Sequence, residues 1–123
     1  MGKRLHSAIK HEVVWGDNAR FNHAQDYINR IIGILAEDDI GYEGDYLEYA
    51  DSVSADRKKL LENVDKIVQP NNEWYYQEEL DEVLEDMEEN SDEKLTREYV
   101  HKHLKAIIND SDEKCEYVYF AWF

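Results

Sequence analysis

Two long stretches of this chain carry acids and no bases. Between Arg30 and Arg57 lie Glu37, Asp38, Asp39, Glu43, Asp45, Glu48, Asp51 and Asp56. Between Lys66 and Lys94 lie Glu73, Glu78, Glu79, Asp81, Glu82, Glu85, Asp86, Glu88, Glu89, Asp92 and Glu93. These windows hold nineteen of the twenty-nine acids. An ionised carboxylate stays out of an apolar core unless it is paired. Each window must therefore border solvent, and a helix inside one has a single face left for the core.

That constraint still permits a folded domain. The 123 residues suit one compact unit, residues 1–123, large enough to bury a core without a disulfide. Three Trp, nine Tyr and three Phe supply aromatic bulk that acidic disordered tails lack. The single cysteine, Cys115, excludes an intrachain disulfide and is compatible with a reducing cytoplasm, the expected location. The first residues show neither a secretory leader nor a myristoylation pattern, since position 6 is His. No apolar run approaches the roughly 20 residues of a membrane span.

The pattern predicts an α+β fold, mostly helical, with about four helices. Phe21, Ala24, Ile28, Ile31, Ile32 and Leu35 recur at helical spacing, giving a helix over about 18–37 capped by Asp17 or Asn18. Residues 38–52 read as either loop or helix. Leu60, Leu61, Val64, Ile67 and Val68 form a second stripe, with Ser52 or Ser54 as its cap. A third helix covers about 73–89, with Trp74, Leu80, Val83, Leu84 and Met87 inward. Ser91 is expected to cap a fourth, whose core face is Leu95, Tyr99, Val100, Leu104, Ile107 and Ile108. Residues 8–15, which read as either strand or helix, and 115–123 are rich in strand formers, and a lone strand is not stable. They are expected to pair as a small two-stranded antiparallel sheet joining the N- and C-terminal segments.

The charge distribution points to function. Glu78/Glu82, Asp81/Glu85, Glu82/Asp86 and Glu85/Glu89 are like-charge pairs at i,i+4, each unfavourable by about 0.2–0.5 kcal/mol. A helix C-terminus is electrically negative and favours cations. The helix at 73–89 ends instead in Glu85, Asp86, Glu88 and Glu89, and the helix at 18–37 runs into Glu37, Asp38 and Asp39. Local rules broken without local compensation mark candidate functional sites. Carboxylates on one helix face lie about 5–6 Å apart, comparable to the roughly 3.4 Å phosphate spacing along a nucleic-acid strand. The plain alternatives are a face that only solvates the chain, or halophilic adaptation. The latter spreads charge over the whole surface.

The formal net charge of −15 excludes free nucleic acid and anionic membranes as partners, because both need a basic patch. The expected partner is a basic nucleic-acid-binding protein, such as a restriction enzyme or a CRISPR effector nuclease with its cationic channel. The reading is an acidic nucleic-acid mimic of the anti-restriction or anti-CRISPR kind, encoded by a phage or mobile element. An immunity protein or antitoxin against a basic nuclease toxin is the alternative. The partner-binding residues are expected to be Glu37, Asp38, Asp39, Glu43, Asp45, Glu48, Asp51, Glu78, Glu79, Glu82, Glu85, Asp86, Glu88 and Glu89. Tyr46 and Tyr49 join them, because exposed aromatics beside charge suit an interface.

Other chemistries find little footing, and no cofactor or enzymatic activity is expected. His101 and His103 are two residues apart, so a helix points them to different faces. Asp39–Gly44 places glycine at the sixth position of a calcium loop but fails at positions 3 and 12. There is no phosphate-cradling glycine loop or nucleophile elbow. Cys115, in an apolar run, reads as a packing residue.

Overall fold

A computed structural model describes residues 4–10, 14–20, 24–91 and 95–123, with only the backbone for 8–10 and 14–20. The chain is α+β. Its strands are β1 (Arg4–Lys10), β2 (Val14–Arg20), β3 (Ile40–Tyr42), β4 (Ser52–Asp56) and β5 (Tyr117–Trp122). Its helices are α1 (Gln25–Leu35), α2 (Arg57–Asn63), α3 (Gln77–Asn90) and α4 (Arg97–Asp110). Short 3-10 turns cover Leu47–Tyr49 and Val64–Ile67.

β5 alternates as its sequence demands. Val118, Phe120 and Trp122 are buried while Tyr119 is exposed, because successive strand residues face opposite ways. It pairs with β1 antiparallel, setting Leu5 opposite Trp122 and Ser7 opposite Phe120, so the two end segments join as expected, but through residues 5–7 rather than 8–15, of which 11–13 lie outside the described residues. The expected two-stranded sheet is corrected, however, to five antiparallel strands in the order β2-β1-β5-β4-β3.

Three strands escaped local reading for separate reasons. β4 is Ser-Val-Ser-Ala-Asp, weak in strand propensity. It becomes a strand because β3 and β5 flank it, with Val53 and Ala55 turned into the core. β3 is only three residues and includes Gly41. β2 occupies ground assigned to the first helix. Its pairing with β1 overrides the turn signal of Gly16-Asp17, and the register slips there, between His6 opposite Asn18 and Ala8 opposite Trp15. An extra residue on one strand is a β-bulge, a position that tolerates Gly and Asp. Asp17 and Asn18, expected as helix caps, lie instead within β2. α1 starts at Gln25 after Ala24 with no side-chain cap bond, and Phe21 lies outside the described residues.

Two other caps shift. Asp56, ending β4, caps α2 by accepting from the Lys59 amide at 3.0 Å, whereas Ser52 and Ser54 are strand residues. Thr96 caps α4 through the Tyr99 amide, while Ser91 accepts from the Leu95 amide just beyond α3. The four helical stripes otherwise supply the core as expected. Ile28, Ile31, Ile32 and Leu35 meet Leu60, Ile67, Leu80, Leu84, Met87, Leu104 and Ile108 in one buried cluster with the inner sheet face. Leu61 is the exception and is exposed.

Asn29 sits in this apolar interior with no exposed surface. Its amide nitrogen donates to the carbonyls of Leu47 and Ala50, both at 2.9 Å. Its amide oxygen accepts from the Trp122 indole at 2.8 Å. One side chain thus ties α1 to β5 and to the segment between β3 and β4. Replacing Asn29 by alanine is expected to lower unfolding free energy by about 2–4 kcal/mol. The measurement is urea unfolding, with a lower midpoint and an unchanged slope.

Candidate functional site

The chain leaves α1 through a left-handed turn. Glu37 (φ 53°) and Asp38 (φ 64°) both occupy the region that non-glycine residues rarely adopt. The turn satisfies the last helical carbonyls: Glu37 N–H donates to Ile34, Asp38 N–H to Gly33 and Asp39 N–H to Ala36, at 2.9–3.0 Å. It also sends the three acids to different places.

Glu37 turns inward. Its carboxylate accepts from the Trp74 indole at 2.9 Å and from the Asn63 amide at 3.1 Å. The Trp74 bond, then the Asn63 bond and the Lys59 and Lys66 charges, outweigh partial burial and hold this carboxyl below its ordinary 4.5. Lys66 sits over the Trp74 ring, 4.6 Å from its centroid. Asp39 accepts from the Tyr117 hydroxyl at 2.6 Å and faces Lys59 at 3.6 Å. That Tyr117 bond, foremost, lowers the Asp39 pKa, and it pushes the Tyr117 phenol up to about 12. Asp38 alone of the three is exposed. Glu37 and Asp39 are structural ties between α1, the Trp74 turn and β5.

The acids of α3 divide similarly. Leu80, Val83, Leu84 and Met87 bury one face. Beside it, Arg97 at the start of α4 gathers three carboxylates: Asp81 at 3.0 Å, Glu88 at 3.7 Å and Glu85 at 4.0 Å. The Arg97 amide also donates to Glu88. The Asp81/Glu85 repulsion and the negative end of α3 are thus offset by a cation from outside the window. Asp86 accepts from the Asn90 side chain at 2.6 Å and adjoins Tyr27 of α1. Glu78, Glu79, Glu82 and Glu89 are exposed, and no described cation pairs with them. Glu78, Glu82 and Glu85, with Glu73, Trp74 and Tyr75, line an open groove of about 570 Å³.

In the other window, Glu43, Asp45, Tyr46 and Tyr49 are exposed and Glu48 is half-buried. Asp51 is exposed and accepts from the Gln25 amide at 3.0 Å. The two windows meet at Tyr76, whose phenol is raised first by burial, then by Asp38, Glu37 and Glu79. Elsewhere α1 lies between them. At about 100° per residue, Asn29 and Gly33 share the flank under Leu47 and Ala50, while Tyr27 lies on another flank beside Asp86. Arg30, near Tyr27, stands half-buried on the same helix.

The expected histidine and cysteine positions separate. His101 bonds Asp65 at 2.7 Å, which Lys105 also reaches at 2.9 Å. His103 packs beside Tyr99, with centroids 4.3 Å apart. Cys115 precedes β5, and burial followed by Asp112 raises its thiol pKa. Sequence reading missed Arg97, Asn63 and Asn29. Only Asn29 carried a local signal, a polar residue inside an isoleucine-rich stripe that demands a partner.

No protein-family model, curated protein or solved structure matches the chain.

Arg97→Met is expected to lower stability by about 1–2 kcal/mol, and more at low salt because three carboxylates are released together. Equal losses in thermal melts at low and high salt would assign the effect to packing instead. Tyr117 contributes stability that is complete below its ordinary value of 10.0 and is lost as pH rises through about 12. Glu37 has the opposite sign: its contribution is present above 4.5 and is lost as pH falls through its lowered folded value. Unfolding across pH should therefore show a weaker alkaline loss in Tyr117→Phe and a weaker acid loss in Glu37→Gln.

Proposed function

We propose that this protein is an acidic nucleic-acid mimic that occupies the phosphate-binding face of a basic DNA- or RNA-binding protein. One observation carries the reading. The outer face of α3 presents Glu78, Glu82 and Glu89, together with the largely exposed Glu85, while the nearby arginine is turned to Asp81 and Glu88 and reaches Glu85 only at 4.0 Å. The helix has fourteen residues. At 1.5 Å each it spans about 21 Å, roughly six phosphate steps of one strand. Its carboxylates ride on a rigid backbone whose inner face is buried. Such a surface meets a cationic groove quickly by electrostatic steering, and its binding weakens with salt.

The proposed target is a nuclease or other defence protein with a basic channel, met in the cytoplasm, and the protein performs no chemistry of its own. Asp38 and Glu79 extend the surface past α3, and the acids of residues 43–51 lie on the other flank of α1. Glu37 and Asp39 support it from within.

The test is capture of partners from bacterial lysate by the tagged protein, with salt elution and duplex DNA as competitor. The expected result is a basic nucleic-acid-binding protein that DNA displaces. Replacing Glu78, Glu82 and Glu89 together by Gln should weaken that capture at least tenfold and raise the melting temperature at low salt, by removing like-charge repulsion. A partner that DNA leaves in place overturns mimicry and favours an immunity protein. Lower stability with undiminished capture would make these acids structural.

A further inference from the structure

Residues 42–49 bring exposed aromatic area and acid together on a backbone held from inside. Tyr42, Tyr46 and Tyr49 are 42%, 63% and 73% exposed. The Tyr46 and Tyr49 rings lie 6.2 Å apart at 81°, forming an open corner. Glu43 and Asp45 stand exposed beside them, and the sequence from 41 to 51 contains no cation. Folding alone gives no reason to leave that much aromatic surface in water.

The backbone beneath is not a slack loop. The Leu47 and Ala50 carbonyls are bonded by buried Asn29, and Gln25 donates to Ala50 at 2.8 Å. Leu47 packs so closely on α1 that a Cβ on Gly33 would lie 2.9 Å from its Cδ2. Glycine in a helix interior costs roughly 0.5–1 kcal/mol relative to alanine, and here it admits the segment. A surface ordered before binding avoids the entropy loss of ordering on contact.

The chemistry that fits is arginine. A guanidinium is planar, stacks on a tyrosine face and donates paired N–H bonds to a carboxylate. An ammonium is compact, more strongly hydrated and makes no such fork. Phosphates are repelled by Glu43 and Asp45, so the occupant is a protein.

We infer that residues 42–49 form a preorganised arginine-reading surface, resting on the mimic reading above, in which Tyr46 and Tyr49 stack guanidinium groups of the basic partner and Glu43 and Asp45 accept their hydrogen bonds. Asn29 is its positioning residue. Under this inference α3 supplies long-range attraction and the tyrosine corner discriminates among basic surfaces.

The test uses oligoarginine and oligolysine peptides of equal length, titrated into the intact protein at low salt and followed by calorimetry. Oligoarginine should bind roughly three- to tenfold tighter. The double variant Tyr46→Ala, Tyr49→Ala should lose that preference while still binding oligolysine. Tyr46→Leu with Tyr49→Leu, which keeps apolar bulk but removes the π faces, should lose it too. Equal binding of both peptides by the unaltered protein overturns the inference and leaves the mimic reading standing. A preference surviving in both double variants does the same, because arginine is then read elsewhere. Failure of both peptides to bind overturns both.

Discussion

A single buried amide fixes the junction of three parts of this molecule. Asn29 lies wholly inside an apolar cluster, where an unbonded polar group would cost several kcal/mol, about 1–3 by the measure of protein mutants. It bonds a β5 indole on one side and two carbonyls of the 47–50 segment on the other. α1, the central strand and the tyrosine-bearing segment are thereby held in one geometry. The Trp122 amide, donating to the Asp51 carbonyl at 2.9 Å, closes the same junction from the backbone. Among the described residues no fully buried side-chain nitrogen or oxygen lacks a partner.

The carboxylates fall into two populations with different work. Glu37, Asp39, Asp65 and Asp81 are drawn to seams between elements, where an indole, a phenol, a histidine or a cation meets them. Glu78, Glu79, Glu82 and Glu89 remain on the outer side of α3 with no described cation beside them. Arg97, Lys59 and Lys105 serve the first population. The excess of negative charge is therefore displayed outward, where it repels itself and attracts a cationic surface. Stability and display are separated residue by residue within the same acidic windows.

How far the sequence could be read depended on the range of the interactions involved. The stripes of α3 and α4 were legible because Leu80, Leu84 and Met87, or Val100, Leu104 and Ile108, repeat at the helical period regardless of what they pack on. β5 was legible from its alternation, and the need of a strand for a neighbour pointed to the N-terminal segment, though to residues 8–15 rather than the 5–7 that pair with it. β4 was not, since Ser-Val-Ser-Ala-Asp favours a strand only between two others. In the acidic windows, the exposure of Glu78, Glu82, Tyr46 and Tyr49 followed from charge and spacing. The inward turn of Glu37 and Asp39 did not, because their partners lie 37 and 78 residues away.

By itself, then, the sequence determined the surplus of acid, its concentration in two windows, the helical stripes and the joining of the two end segments. The first three depend on composition and on repeats of two to four residues, which act within one element, and the last on the need of a lone strand for a neighbour, which left its register to the fold. Tertiary structure decided which carboxylates are internal ties and which are displayed. It also placed the windows in contact near Tyr76, with α1 between them elsewhere. Those outcomes depend on side chains far apart in sequence reaching one another across α1, α3, α4 and β5, and no local pattern encodes such a meeting.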